Sequence, residues 1–218
     1  MKQISSILAG PAIAIAGILT VASCGRDTKF IGSWTATAPT EISSELPAAS
    51  NATSLMSIDF FAGAETGKGG DFFLSTLINA TQPVKPDSAV MSADVPYEAS
   101  VSATASVSGT WTYKDNDDDD LILAFDMSTL KVDVDPAGVV FSENMISGAQ
   151  QPAVDSLSMR TAAVWKRQIS NAVTSSLSRF GEFDDVKVNK DGSTLTFEIK
   201  DAAGHDRTMI MKRVDNPD

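Results

Sequence analysis

From Phe30 onward the hydrophobic and polar positions of the chain alternate with a period of two. Phe30, Gly32, Trp34 and Ala36 share one side of the first run, and Leu55–Phe61 and Asp71–Ile78 are further strand candidates rich in aromatic and branched residues. The clearest alternation covers residues 97–113. Tyr97, Ala99, Val101, Ala103, Ala105, Val107, Gly109, Trp111 and Tyr113 have one parity, and serine, threonine and glutamate fill the other. Such a pattern predicts a half-buried strand. Seventeen straight residues would span roughly 57 Å, far beyond an ordinary strand, so the strand must bend, and Gly109 is the expected place. The small inward residues Ala99, Ala103 and Ala105 leave room. Either a neighbouring element packs close there or a cavity opens.

Leu121–Phe125 and Leu130–Val134 read as a hairpin turned by Asp126-Met-Ser-Thr129. Pro136 ends it, and Gly138–Phe141 suggests another short strand. Val186–Val188, Leu195–Ile199 and Arg207–Val214 follow, with turns at Asn189–Gly192 and Asp201–Gly204. One stretch breaks the period. Between Pro152 and Phe180 the apolar residues Val154, Leu157, Val164, Trp165, Ile169, Val173 and Leu177 recur at spacings of three, four and seven. That spacing predicts an amphipathic helix over about 153–180. The expected fold is mainly β: an antiparallel up-and-down barrel of about eight to ten strands with one inserted helix.

The segment before this domain has a different character. A basic Lys2 precedes the apolar stretch Ile13–Val21, which closes on Val21-Ala22-Ser23-Cys24. This is the layout of a secretory signal, too short for a spanning helix. The small pair before the cysteine resembles the lipobox of bacterial lipoproteins. That resemblance implies cleavage after residue 23, lipidation of the Cys24 thiol, and a membrane anchor at the new N-terminus. Cys24 is the chain's only cysteine, so lipidation would account for it and exclude cysteine catalysis. The expected organisation is a signal over 1–23, a lipidated tether over 24–29, and one domain over 30–214. The chain carries a formal net charge of −11. Such an acidic domain is not expected to bind nucleic acid.

Gly32-Ser-Trp34 opens the first strand directly after the tether. Gly109-Thr-Trp111 repeats the motif mid-domain, and Met211-Lys212-Arg213 lies on the last strand. Together these resemble lipocalins, and more closely the lipocalin-like lipoproteins of gut Gram-negative bacteria. The resemblance implies a lipocalin-like β-barrel in which Trp34 closes the base and Arg213 lies across it, with Gly32 completing the motif. The chain departs from that pattern in placing its helix before the last three strands.

Candidate chemistry is sparse. His205 is the single histidine, beside Asp206, which on a strand points to the opposite face and would orient it poorly. One histidine without a free thiol cannot build a Cys/His zinc site. The run Asp115-Asn-Asp-Asp-Asp-Asp120 reads first as a solvated turn. Asp115, Asp117 and Asp119 are weak calcium candidates, because Asp120 stands where a calcium-binding loop needs glycine. No cofactor is expected and no enzymatic constellation emerges.

The reading is therefore a lipid-anchored lipoprotein of the Gram-negative envelope, expected at the outer membrane. It would bind a small apolar or amphipathic molecule within a wall that includes Ala99, Ala103, Ala105, Trp111, Tyr113, Phe125 and Trp165. The alternative is an accessory or protein-interaction subunit of an envelope complex, in which the same side chains simply fill the core.

Overall fold

The computed structural model describes residues 28–65, 68–83, 97–114, 119–143, 151–201 and 204–214. Ten strands run β1 (Gly32–Ala36), β2 (Thr40–Glu41), β3 (Asn51–Phe60), β4 (Gly69–Pro83), β5 (Glu98–Tyr113), β6 (Leu121–Val134), β7 (Val140–Phe141), β8 (Glu182–Val188), β9 (Thr194–Lys200) and β10 (Asp206–Arg213). Among the described residues one α-helix, α1 (Gln151–Leu177), lies between β7 and β8. Eight of the strands close an antiparallel barrel in the order β1-β10-β9-β8-β6-β5-β4-β3, with β1 returning to β3. Closure gives each of those strands a neighbour on both sides, although β6 meets β8 only at Leu121↔Phe183 and Ile122↔Glu182. β2 and β7 are short additions on β3 and β5. The architecture is the up-and-down barrel with an inserted helix that the alternation predicts.

The interior divides into two cores. At the base, Phe30, Trp34, Phe60, Trp111, Phe183 and Phe197 pack with Leu121, Leu195 and Met211. Their rings meet mostly edge to face, with Phe30 and Trp111 centroids 5.0 Å apart, while Phe183 and Phe197 stack at 4.1 Å. Edge-to-face and offset contacts suit the charge distribution of aromatic rings. At the other end α1 lays Ala162, Trp165 and Ile169 onto Ala52, Ala80, Ala99, Val101, Ala103 and Ala105. The inward alanines thus seat a helix. Of the two outcomes open at those positions, a neighbouring element packs close.

One expectation needs correction. Asp126–Thr129 does not reverse the chain. It lies within the continuous strand β6, whose pairing with β5 jumps from Ser106↔Lys131 to Ser108↔Asp126. The turn chemistry is present: Asp126 Oδ1 accepts from Ser128 N (3.0 Å), and Thr129 Oγ1 donates to the Asp126 carbonyl at 2.7 Å. Ser108 N donates to Thr129 Oγ1. A bulge uses the same local hydrogen bonds as a turn, but the flanking strands stay collinear. The register shift between the two strands falls at Ser106/Ser108 of β5. Gly109 answers a packing need. A Cβ there would stand 2.3 Å from the Ala124 carbonyl oxygen and 2.5 Å from the Phe72 ring.

Candidate functional site

Between α1 and the inner faces of β3, β4, β9 and β10 lies an open cleft with a volume of about 140 Å³. Its floor is apolar, formed by Met56, Leu74, Ile78, Ile199 and Met209, and its roof is Ile169, Val173 and Leu177 of α1. The strand period sets the floor: even-numbered residues of β3 and β4 face inward. Three of those inward positions, Ser54, Thr76 and Gln82, break the apolar rule. Ser54 and Thr76 both line the cleft, and Thr76 Oγ1 is buried without a hydrogen-bond partner among the described residues. A buried hydroxyl with no partner carries a desolvation cost that a bound polar group would relieve.

The rim is charged. Glu45, in the loop between β2 and β3, accepts from Ser176 Oγ and pairs with Arg179 Nη2 at 3.3 Å, tying that loop to the end of α1. The neighbouring Leu46 is buried in the upper core, so the loop is packed as well as paired. Across the opening stand Thr40, Lys200, Asp201 and Arg207. Lys200 pairs with Asp206. Arg207 donates to Thr40 Oγ1 at 3.3 Å and has no carboxylate partner among the described residues.

None of the seven wall positions proposed from sequence lines this cleft. Ala99, Ala103, Ala105 and Trp165 lie together in the upper core, where Trp165 is fully buried and its Nε1 has no hydrogen-bond partner among the described residues. Trp111 and Tyr113 belong to the base core. Trp111 Nε1 donates to the Phe61 carbonyl at 3.0 Å. Phe125 packs edge to face on Phe72 at 5.2 Å. The seven residues are small or aromatic side chains of β5, β6 and α1, whereas the cleft is lined by the loop before β3 and by β3, β4, β9, β10 and α1. The available signal was the pair of hydroxyls, Ser54 and Thr76, at core parity.

At the base, the Arg213 guanidinium carbon lies 4.3 Å from the Trp34 ring centroid. Gly32 adopts φ 131°, and a Cβ there would come within 2.5 Å of Arg213 Nη1. Glycine, tryptophan and arginine therefore form one packed unit. Cys24 lies outside the described residues.

Asp115 and Asp117 also lie outside the described residues. Asp119 offers its backbone carbonyl to Val186 N at 2.7 Å. The acidic group that does assemble is Asp120, Glu182 and Asp184. Lys114 Nζ pairs with Glu182, stands 3.4 Å from Asp120 and 4.0 Å from Asp184. Burial, then the nearby Glu182 and Asp120 charges, push the Asp184 carboxyl above its ordinary range, against the pull of Lys114. The Glu182 hydrogen bond raises Lys114 above an ordinary lysine. A lysine ammonium thus supplies the countercharge that these carboxylates need.

His205 is exposed, and its Nδ1 lies 3.6 Å from Asp201 rather than against Asp206. Among the described residues no helix is long and apolar enough to cross a membrane. Neither a family model nor a curated protein nor a solved structure matches the chain.

Proposed function

We propose that this chain is a lipid-anchored envelope lipoprotein, not an enzyme, whose barrel takes a small amphipathic molecule in the cleft beneath α1. The observation that carries the reading is Thr76, which lines the largely apolar floor of the cleft and whose buried Oγ1 has no hydrogen-bond partner among the described residues. An apolar cavity of about 150 Å³ is large enough for a single benzene-sized ring. The ligand is therefore a ring or short acyl segment with a hydrogen-bonding group for Thr76, its remainder reaching the charged rim. The lipocalin-like resemblance of the Gly-x-Trp motifs and the lipobox-like Val21–Cys24 support a reading in which this binding occurs at the envelope, at the outer membrane, with Cys24 as the membrane attachment.

The test is titration of the protein with short-chain alcohols and phenols, followed by calorimetry, beside Val173→Trp. An indole at Val173 would fill the cleft from its roof. Saturable binding that Val173→Trp removes supports the reading. Absence of binding across the series, or binding indifferent to Val173→Trp, overturns it.

A second reading, a non-enzymatic accessory subunit of an envelope complex, draws support from the filled interior. Both the base and the helix-covered end of the barrel are packed with side chains. On that reading the outer surface, not the cleft, would carry the function.

A further inference from the structure

The inward positions of β10 change character at the mouth of the cleft. Met211 belongs to the base core and Met209 to the cleft floor, but Arg207, next at the same parity, is exposed beside the opening. The barrel is split at this point. β1 pairs with β10 only at Trp34↔Arg213, Thr35↔Lys212 and Ala36↔Met211, and the last backbone bond between the two segments runs from Thr37 N to Ile210 O. Beyond it β2 pairs with β3. Among the described residues the Arg207 donation to Thr40 Oγ1 at 3.3 Å is the hydrogen bond that spans this seam. The other charges at the mouth are engaged. Lys200 pairs with Asp206 and Arg179 with Glu45. Asp201 accepts from His205 N at 2.9 Å and lies 3.6 Å from His205 Nδ1. Arg207 is thus the cation of the mouth whose partner is a neutral hydroxyl.

Polar groups lead from Arg207 into the cleft. Thr40 is in register with Ser54, and Ser54 is diagonal to Thr76, because Ser54 faces Ile78 and Met56 faces Thr76. All four polar residues line the cleft. Directly opposed positions lie about 5 Å apart and diagonal ones about 7–8 Å, so the track from Thr40 to Thr76 covers roughly 12 Å. We infer that the occupant of the cleft is an organic anion, a ring-bearing carboxylic acid, with its carboxylate at Arg207 and Thr40 and its ring on the apolar floor. This rests on the reading of the cleft as a ligand site. A carboxylate suits the pair. A guanidinium presents parallel N–H donors that match two carboxylate oxygens. Thr40 Oγ1 accepts from Arg207 and has no acceptor of its own among the described residues, so its proton can go to the same head group. An ammonium head would meet Arg207 as a like charge, and an uncharged head would leave that charge unanswered. The chain's net charge of −11 acts on an anion mainly at long range, where salt screens it, whereas the contact at Arg207 is short.

The experiment is calorimetry on the full chain at neutral pH and physiological salt with three probes: 4-(4-hydroxyphenyl)butyrate, its methyl ester and 4-butylphenol. The acid is expected to bind roughly five- to tenfold more tightly than the ester, as a charge-assisted pair at an open mouth would give. Arg207→Gln is expected to bring the acid down to the affinity of the ester, with the affinities of ester and butylphenol held. Lys212→Gln removes an exposed cation of β10 at the opposite parity and is expected to leave the preference for the acid intact. An acid that binds no more tightly than its ester overturns the assignment of an anion, and so does a preference that survives Arg207→Gln or is lost equally in Lys212→Gln. In each of those cases binding of ester and butylphenol leaves the cleft as a ligand site. Absence of binding by all three probes overturns the cleft reading and this inference with it.

Discussion

Arg213 lies across the face of Trp34, its guanidinium carbon 4.3 Å from the ring centroid, and reaches past it to three backbone carbonyls. Nε donates to Gly192 at 2.8 Å, Nη1 to Ile31 at 3.2 Å and Nη2 to Lys29 at 2.7 Å. One side chain at the end of the last barrel strand thereby ties the first strand, the β8–β9 turn and the segment that enters the domain. Trp34→Ala removes a fully buried indole and is expected to cost about 3–5 kcal/mol. Arg213→Ala loses a cation–π contact worth about 0.5–2 kcal/mol together with its hydrogen bonds. Arg213→Lys should recover only part, because an ammonium cannot span three carbonyls and a ring at once. Urea unfolding monitored by tryptophan fluorescence measures each loss, and an unchanged midpoint in both alanine variants would contradict the role of this pair.

Gly32 should be as demanding as the pair it serves. Its φ of 131° lies where side chains are rarely tolerated, and a Cβ would strike Arg213 Nη1. Gly32→Ala is expected to destabilise by about 1–3 kcal/mol. In an Arg213→Ala background the steric share of that loss should vanish, leaving only backbone strain. A double-mutant cycle in urea separates the two parts.

Much of the architecture was legible because one rule, period-two burial, operates over most of the chain. Trp34, Trp111 and Phe197 all fall on the parity that the barrel buries. The helix was legible by the same logic at a different period, and its bounds differ from expectation by only a few residues. Where reading failed, the failure was local. Asp126–Thr129 has the composition of a turn and forms its hydrogen bonds, yet whether the chain reverses is decided by β5, which pairs on both sides of the bulge. The alanines of β5 showed that space exists there but not what fills it. The helix that fills it arrives from a segment some sixty residues later in the chain, and sequence periodicity carries no information about such a long-range contact.

That contact can be probed directly. Ala103 is buried beneath α1 in the same cluster as Trp165 and Ile169. Ala103→Leu adds volume to a filled space and is expected to cost about 1–3 kcal/mol. The base core should be spared, so the variant is expected to lose α1 before the barrel unfolds. Hydrogen exchange would then show reduced protection over Gln151–Leu177 with the amides of β1 and β10 still protected. Uniform loss of protection would show instead that helix and barrel unfold as one unit.

The Lys114 cluster predicts opposite pH dependences for two variants. Asp184 has a folded pKa above its ordinary value. Its ionised form therefore opposes folding. That cost is absent below the ordinary carboxylate range, and it is complete once the pH has risen above the raised value. Asp184→Asn is expected to raise the melting temperature at pH 7 and to lose that advantage in acid. Lys114→Met leaves Asp120, Glu182 and Asp184 facing one another without a cation. Its melting temperature should fall at pH 7 and approach that of the unaltered protein as the carboxylates protonate. Thermal melts from acid to neutral pH test both signs together.

Thr76 provides the sharpest distinction between stability and binding. Met56 and Thr76 are neighbours on the inner wall, and the valine that would replace Thr76 has nearly its shape. Thr76→Val removes a buried hydroxyl that has no partner, so the free protein should become more stable, by about 1 kcal/mol. The same change removes the hydrogen-bonding group available to a ligand deep in the cleft. A ligand that hydrogen-bonds there should lose about tenfold in affinity, the equivalent of about 1.4 kcal/mol, while a purely apolar analogue of the same shape should bind as well or better. A melting temperature that rises while phenol affinity falls and toluene affinity holds would identify Thr76 as a residue kept for binding at the expense of stability. A rise in stability with no change in either affinity would reduce it to an imperfectly paired core hydroxyl.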